Sequence, residues 1–295
     1  MHWGEAMRPI DHVVLPFPDL PTARACLEGL GFLVVPDAVH PFGTGNACVF
    51  FADGTYLEPL AVVDHAAYGE ALAEGNLFVT RDAAFRPAND LPAFSGLALR
   101  SDDALVDRDT PAQHGLGEEG KVEFCRKFAA AAGTAATLSF RLSFARSPAD
   151  FGATLFFCQK LHRMAPDRSA LTRHPNGVTG LSRIVLAGEA SPATRLLLES
   201  AAGEAMLGDD SGGQSLALAG TAVEIIPDAI AAERYGHRRG ERAGLFVAGI
   251  VLSVTDLAAT RSLIGSAGSS HRPDRLTVAL DAAGSAFIAF EESRA

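Results

Sequence analysis

The chain has 295 residues, 48% of them hydrophobic and 20% charged, with a formal net charge of −10. That length and balance supply a sizeable core for one large or two ordinary domains and exclude a disordered chain. The acidic excess argues against nucleic-acid binding, which needs clustered Lys and Arg to neutralise phosphates.

Cys26, Cys48, Cys125 and Cys158 form no Cys-x-x-Cys pair, and three of them lie in apolar stretches where a free Cys behaves as a small hydrophobe. No apolar run is long enough to span a bilayer and no signal-like segment opens the chain. A reducing cytoplasm, and no membrane, is therefore the expected setting.

The first predicted strand starts near His12 and the first helix follows Asp19, whose carboxylate suits an N-cap, with Pro21 in the first turn and a left-handed Gly31 at the end. Three further strands are predicted over Phe32–Pro36, Ala47–Phe51 and Tyr56–Val63. The same order then returns. From Gly96 the segment GLALRSDDALVDR opens a second module, with strands over Val122–Phe128, Thr137–Phe144 and Thr154–Gln159. From Arg183 a third runs through Pro192 into a Leu-rich helix and strands at Glu204–Leu207, Ser215–Ala219 and Ala222–Ile226. A fourth begins at Gly249, with strands over Arg275–Asp281 and Ala286–Phe290, while the first of its three is not legible.

The two ends of the chain show the repeat best: His12–Gly31 lies over Gly249–Gly268 without a gap, matching Val14 to Val251, Asp19 to Asp256, Arg24 to Arg261 and Gly31 to Gly268. An internal repeat of this kind decides the fold. The recurring Arg24, Arg108, Arg195 and Arg261 read as helix-surface residues snorkelling over their own modules, a register mark rather than a ligand set. The run Arg234–Arg242 reads as a solvated linker between modules three and four.

Strand–helix–three-strand, four times over, resembles the vicinal-oxygen-chelate superfamily (the glyoxalase, bleomycin-resistance and dioxygenase fold). His40-Pro-Phe-Gly-Thr-Gly-Asn46 followed by Asp53-Gly-Thr-Tyr-Leu-Glu58 is similar to the signature of its glyoxalase-like domain family, as is His174-Pro-Asn-Gly177. The resemblance implies an α+β fold in which the four modules pair into two curved, incompletely closed mixed β-barrels with helices outside. Domains are expected over 7–165 and 178–293.

The resemblance also implies metal ligands at the start of a module's first strand and in the middle of its fourth. His12 and Glu58 occupy those places, and an imidazole with a carboxylate suits a divalent Zn, Fe, Mn, Ni or Co ion acting as a Lewis acid. Without the resemblance, the same two residues read as a buried hydrogen-bonded pair. The equivalent positions elsewhere are Gly96 and about Phe156, Arg183 and Glu224, and Gly249 and about Ile288. A four-ligand glyoxalase I site is therefore not supported, nor are extradiol dioxygenase ligands in the second half. Two additions stay open. A slip at the end of module two brings Gln159 or His162 to the metal. Alternatively, module one pairs with module three, adding Glu224 and leaving Arg183 for an anionic substrate; the alternative for Arg183 and Glu224 is an internal salt bridge.

The loop His40–Asn46 reads either as the polar lip of a substrate cleft, with His40, Thr44 and Asn46 contacting ligand, or as a hydrogen-bonded connection. Phe42, Phe50, Phe124, Phe140, Phe144 and Phe157 line a pocket or build ordinary core. His65, His114, His237 and His271 show no ligand spacing, and no nucleophile elbow, Walker loop, dinucleotide fingerprint or His-Glu-x-x-His helix is present. The expected partner is a small molecule, in a chain that is a candidate homodimer. The expected function is metal-assisted isomerase or lyase chemistry on a small oxygenated metabolite, before dioxygenase. The alternative is a non-catalytic binder that sequesters a small molecule, as drug-resistance members do.

Overall fold

The computed structural model describes residues 7–129, 135–161, 167–210, 212–240, 243–269 and 272–293. One sheet contains β1 (Ile10–Pro16), β2 (Ala38–Val39), β3 (Thr44–Asn46), β4 (Val49–Phe50), β5 (Tyr56–Val62), β6 (Gly96–Ser101), β7 (Val122–Ala129), β8 (Ala135–Phe144) and β9 (Thr154–Lys160). The other contains β10 (Val178–Ala187), β11 (Leu207–Gly208), β12 (Gln214–Leu218), β13 (Thr221–Ile226), β14 (Phe246–Val254), β15 (Arg275–Ala279) and β16 (Phe287–Glu292). The first curls into a nearly closed barrel and the second curls without closing, with the helices outside both.

Those helices are α1 (Leu20–Gly29), α2 (His65–Ala73), α3 (Leu77–Phe85), α4 (Ala104–Ala112), α5 (Pro192–Ala202), α6 (Asp228–Tyr235) and α7 (Leu257–Ile264). In every module the first strand runs parallel to the last, as β1 to β5, β6 to β9, β10 to β13 and β14 to β16. Modules join through antiparallel first strands, β1 with β6 and β10 with β14. Module one therefore pairs with module two, and the alternative pairing with module three is overturned.

The four repeated helices are capped as their sequences require. Asp19 accepts from the Thr22 amide, Asp103 from Leu105 and Val106, Ser191 from Thr194 and Asp256 from Ala259. Gly31 is left-handed at φ +78°, whereas Gly268 is not; a short 3₁₀ turn follows α7, and the left-handed residue there is Gly265. The recurring arginines do more than cover their helices. Arg24 donates to the carbonyls of Val34 and Val35, Arg108 to Glu118 and Gly120, and Arg261 to Pro273 and Arg275, tying each helix to the chain that leaves it.

Several strand expectations are corrected. Phe32–Pro36 is a connection, and the edge position is taken by the short β2. Glu204–Leu207 shrinks to β11, and the illegible strand of module four is a single bridge from Ser269 to Thr277. The run Arg234–Arg242, expected to be a solvated linker, begins in α6: Tyr235 is buried and stacks on Phe287 at 4.5 Å, beneath the Arg275 guanidinium. Apolar residues decide that segment, because Ile230, Ala231 and Tyr235 recur at helical spacing and pack under the second sheet.

The sheets share one core, in which Phe32, packed on Phe51, stacks on Phe290 of the second sheet. The His174–Gly177 turn fastens them. His174 accepts from the Leu33 amide at Nδ1 and donates from Nε2 to the Phe50 carbonyl, while Asn176 donates to the Leu30 carbonyl.

Candidate functional site

The site begins at a β-bulge. Opposite β6, Ile10 pairs with Leu99 and His12 with Ala98, so Asp11 is an extra residue. A bulge re-aims side chains; here two consecutive ones turn inward, and His12 Nδ1 lies 3.0 Å from Asp11 Oδ2. On β5, Tyr56 lies opposite His12, and Glu58, two residues on, shares its face. His12 Nε2 comes 3.2 Å from Glu58 Oε2, and the Tyr56 ring stacks on the imidazole at 4.4 Å.

The remaining support comes from His40–Asn46. Asn46 on β3 donates to Glu58 Oε1 at 2.6 Å, and the same amide nitrogen lies 3.2 Å from His40 Nε2. That leaves the His40 proton on Nδ1, directed at Thr44 Oγ1 2.8 Å away. Gly43 makes the turn possible: its φ is +84°, and a Cβ there would stand 2.4 Å from the Asp64 carbonyl at the start of α2. His40, Thr44 and Asn46 are all buried, so the loop is a hydrogen-bonded connection that also presents two side chains, His40 and Phe42, to the pocket.

Burial would raise the Glu58 carboxyl, but hydrogen bonds from His12 and Asn46, with the His12 and His40 charges, hold it at about 2. Burial would lower His12, yet hydrogen bonds to Asp11 and Glu58 raise it above the ordinary value. Asp11, fully buried, is held well below the carboxylate range by His12 and by Lys160, whose Nζ lies 2.7 Å away. Burial pushes His40 down to about 4, with Arg126 and His12 adding to the shift and Glu58 opposing it. His12 is thus an imidazolium clamped between two carboxylates, and His40 is a neutral imidazole.

His12, His40, Tyr56 and Glu58 line a pocket of about 360 Å³ of empty space, part of it open to solvent, walled mainly by Phe42, Phe78, Phe124, Phe140 and Phe156. Phe42, Phe124 and Phe140 thus line it as the pocket reading expects; Phe144 lines an adjoining cavity, Phe50 packs behind Tyr56, and Phe157 faces the core shared with the second sheet.

The expected additional ligands do not join. Gln159 Oε1 accepts from the Ala104 amide and Arg141, while its Nε2 donates to the Asp102 carbonyl. His162 lies outside the described residues. Arg183 and Glu224 belong to the other sheet, where Arg183 is ion-paired with both Glu224 and Glu291. A half-buried cation facing two carboxylates is the internal salt bridge, not an anion site.

Two donor sets could receive a metal ion. Among the described residues, Asp11, His12 and Cys158 are the group of three with ligand atoms all within 4.8 Å of one another. Asp11 already faces Lys160, however, and burial, aided by Asp11, pushes the Cys158 thiol well above its ordinary range, so an ion there would have to displace both the lysine and the thiol proton. His12 Nε2 and Glu58 Oε2 fit better. Their separation matches two adjacent ligands about 2.1 Å from one ion, they line the pocket, and Asp11 backs the imidazole at its other nitrogen, as outer carboxylates do in metal sites. Sequence reasoning missed Asp11, Arg126 and Cys158. An acid adjoining the candidate ligand was the available signal for Asp11.

The strand registers identify the equivalent positions. Val14 faces Glu58, Ala98 faces Phe156, Val185 faces Glu224 and Val251 faces Ala289. Gly96 and Phe156 therefore stand where expected, and so do Arg183 and Glu224, while module four offers Gly249 and Ala289 rather than Ile288. In the second sheet α6 fills this face, packing Ala231 and Tyr235 against Val185, Val251 and Ala289.

No helix among the described residues is long and apolar enough to cross a membrane. A search of curated proteins found no match. Among solved structures, the chain is similar to a hypothetical protein from Staphylococcus aureus, with TM-score 0.65 and 12% identity over 97% of this chain and all of that one. It is also similar to a mutant 4-hydroxymandelate synthase from Streptomyces coelicolor, with TM-score 0.61 and 13% identity over 99% and 95%. A xylose isomerase-like TIM barrel/4-hydroxyphenylpyruvate dioxygenase fusion protein gives TM-score 0.57 and 13% identity over 98% of this chain and 50% of that one. At such identities these structures speak for the fold alone. The model of the glyoxalase-like domain matches residues 10–201, a span that contains the bulge, the His40–Asn46 loop, Glu58 and the His174–Gly177 turn. The chain belongs to the glyoxalase-like domain family of the vicinal-oxygen-chelate superfamily.

Proposed function

We propose that the protein acts on a small oxygenated metabolite by metal-assisted isomerase- or lyase-type chemistry, with His12 and Glu58 holding one divalent ion. One observation carries the reading: His12 Nε2 and Glu58 Oε2 stand 3.2 Å apart on the wall of an aromatic-lined pocket, with a buried carboxylate behind the imidazole. A bound divalent ion supplies Lewis acidity toward a substrate oxygen. The chain's own residues do the rest. Asp11 orients His12, and Asn46 fixes the carboxylate of Glu58 and the ring of His40 together. His40, neutral through the physiological range and held by Asn46 and Thr44 at its two nitrogens, presents a fixed, uncharged ring face to the pocket. The aromatic walls exclude water from the reacting atoms. Dioxygenase chemistry, which one similar structure brings to mind by name, gains no support from the second sheet, where Arg183, Gly249 and Ala289 stand.

The alternative is a binder that needs no metal. It is favoured by the completeness of the His12–Glu58–Asn46 bonds, which satisfy one another without an ion. Calorimetric titration of chelator-treated protein with Zn, Mn, Co, Ni and ferrous ions separates the two. One equivalent bound by the wild type, and none by His12→Ala or Glu58→Ala, is the expected result. No uptake by the wild type would transfer the proposal to the metal-free binder, and uptake surviving both substitutions would mean other ligands.

A further inference from the structure

We infer that Arg126 is an anion-recognition residue, and that the pocket beside His12 and Glu58 receives a monocarboxylate with a flat apolar or aromatic body. Strand β7 alternates: Val122, Phe124 and Arg126 turn inward, while Glu123, Cys125 and Lys127 are exposed. An arginine at an inward position, 9% exposed and lining the pocket, is unusual in a chain with ten net negative charges.

The other buried arginines are satisfied. Arg8 holds both carboxylate oxygens of Asp107 and the Ala201 carbonyl, and Arg275 holds Glu291 and the Arg234 carbonyl. Arg126 is different. Its guanidinium rests 5.7 Å from the Phe140 ring centroid, and among the described residues no carboxylate or hydrogen-bond acceptor meets it. The acids near the pocket are committed elsewhere, Glu58 to His12 and Asn46, and Asp11 to His12 and Lys160.

Asp11 already meets His12, Lys160 and Arg100, and Glu58 meets His12 and Asn46, so neither acid is left for Arg126. Burying an unpaired charge is costly, so a group retained in that state points to a complement supplied from outside. The planar guanidinium fork matches a carboxylate with two parallel bonds, which neither an amide nor an alcohol reproduces. Phe42, Phe78, Phe124, Phe140 and Phe156 set the remainder of the ligand as apolar and flat. The inference rests on the pocket being the ligand site of the proposed function, but not on metal binding there.

Chelator-treated protein titrated with phenylacetate and with its isostere phenylacetamide tests it apart from the metal. The acid should bind at least tenfold more tightly than the amide. Arg126→Met should erase the difference and Arg126→Lys should reduce it. Because Arg126→Met removes an unpaired buried cation, its ligand-free melting midpoint should rise. Equal affinity for acid and amide, no binding of either, or a preference that persists in Arg126→Met would each overturn the assignment. So would a lowered midpoint of ligand-free Arg126→Met, which would mark a structural role. Phenyl phosphate bound in place of phenylacetate would overturn the carboxylate class.

Discussion

Asp11 Oδ2 lies 3.0 Å from Nδ1 of the residue that follows it, His12. Neighbours along a regular strand point to opposite faces, so this contact exists only because of the bulge in β1. The carboxylate fixes which imidazole nitrogen faces Glu58. Asp11→Asn should therefore weaken metal affinity about 10–100-fold without abolishing it, as read by competition with a chromophoric chelator. Affinity unchanged by Asp11→Asn would show that the carboxylate serves Lys160 rather than the imidazole.

Acid should destabilise the metal-free protein through His40. Its value is about 4 in the folded chain against 6.5 for the free side chain, so between those limits the unfolded state binds more protons. Stability from this group is present above pH 6.5 and is lost as the pH falls toward 4. The full effect is on the order of 3 kcal/mol. Urea midpoints of wild type and His40→Gln between pH 7 and 4 should converge at the acid end, and parallel curves would disprove the assignment.

The His174 turn should matter to stability far more than to chemistry. Replacing His174 by Ala removes the acceptor of the Leu33 amide and a donor to the Phe50 carbonyl, at a cost of about 1–3 kcal/mol. Denaturant unfolding should show that loss while stoichiometric metal uptake at His12 and Glu58 remains. Loss of uptake with an unchanged fold would connect the turn to the site instead.

Arg183→Met should cost about 1–3 kcal/mol, because Glu224 loses its ion pair and Glu291 keeps only Arg275. Arg183→His recreates a histidine opposite a glutamate in the register of His12 and Glu58, yet α6 occupies the space in front of it. It should therefore add no second equivalent of metal in the same calorimetric titration.

The repeated strand–helix units were legible because their signals are local: a β-branched strand, then Asp19, Asp103, Ser191 or Asp256 at a helix start. The pairing of module one with module two, expected through the family resemblance, had no local signal of its own, since no residue near His12 records that β6 rather than β10 lies beside it. Helices α2 and α3 escaped notice, as His65–Ala73 is rich in Ala and has only a weak apolar stripe. His12 and Glu58 were readable through the family resemblance. Asp11 was hidden because a regular strand would turn it away, and Arg126 because it looks, in sequence, like any polar residue of an alternating strand. The solvated-linker reading of Arg234–Arg242 gave weight to charge where Tyr235 decided the packing.

Helix α6 bears on how the two halves diverged from one plan. The ion pair of Arg183 and Glu224 occupies the place of His12 and Glu58, so a tethered cation sits where the first half presents two ligand atoms. A guanidinium on its own chain cannot dissociate, titrate away or exchange for a competing ion. The second copy is thereby a permanently filled socket with α6 packed over it, whereas the first keeps the same two register positions on the wall of a pocket.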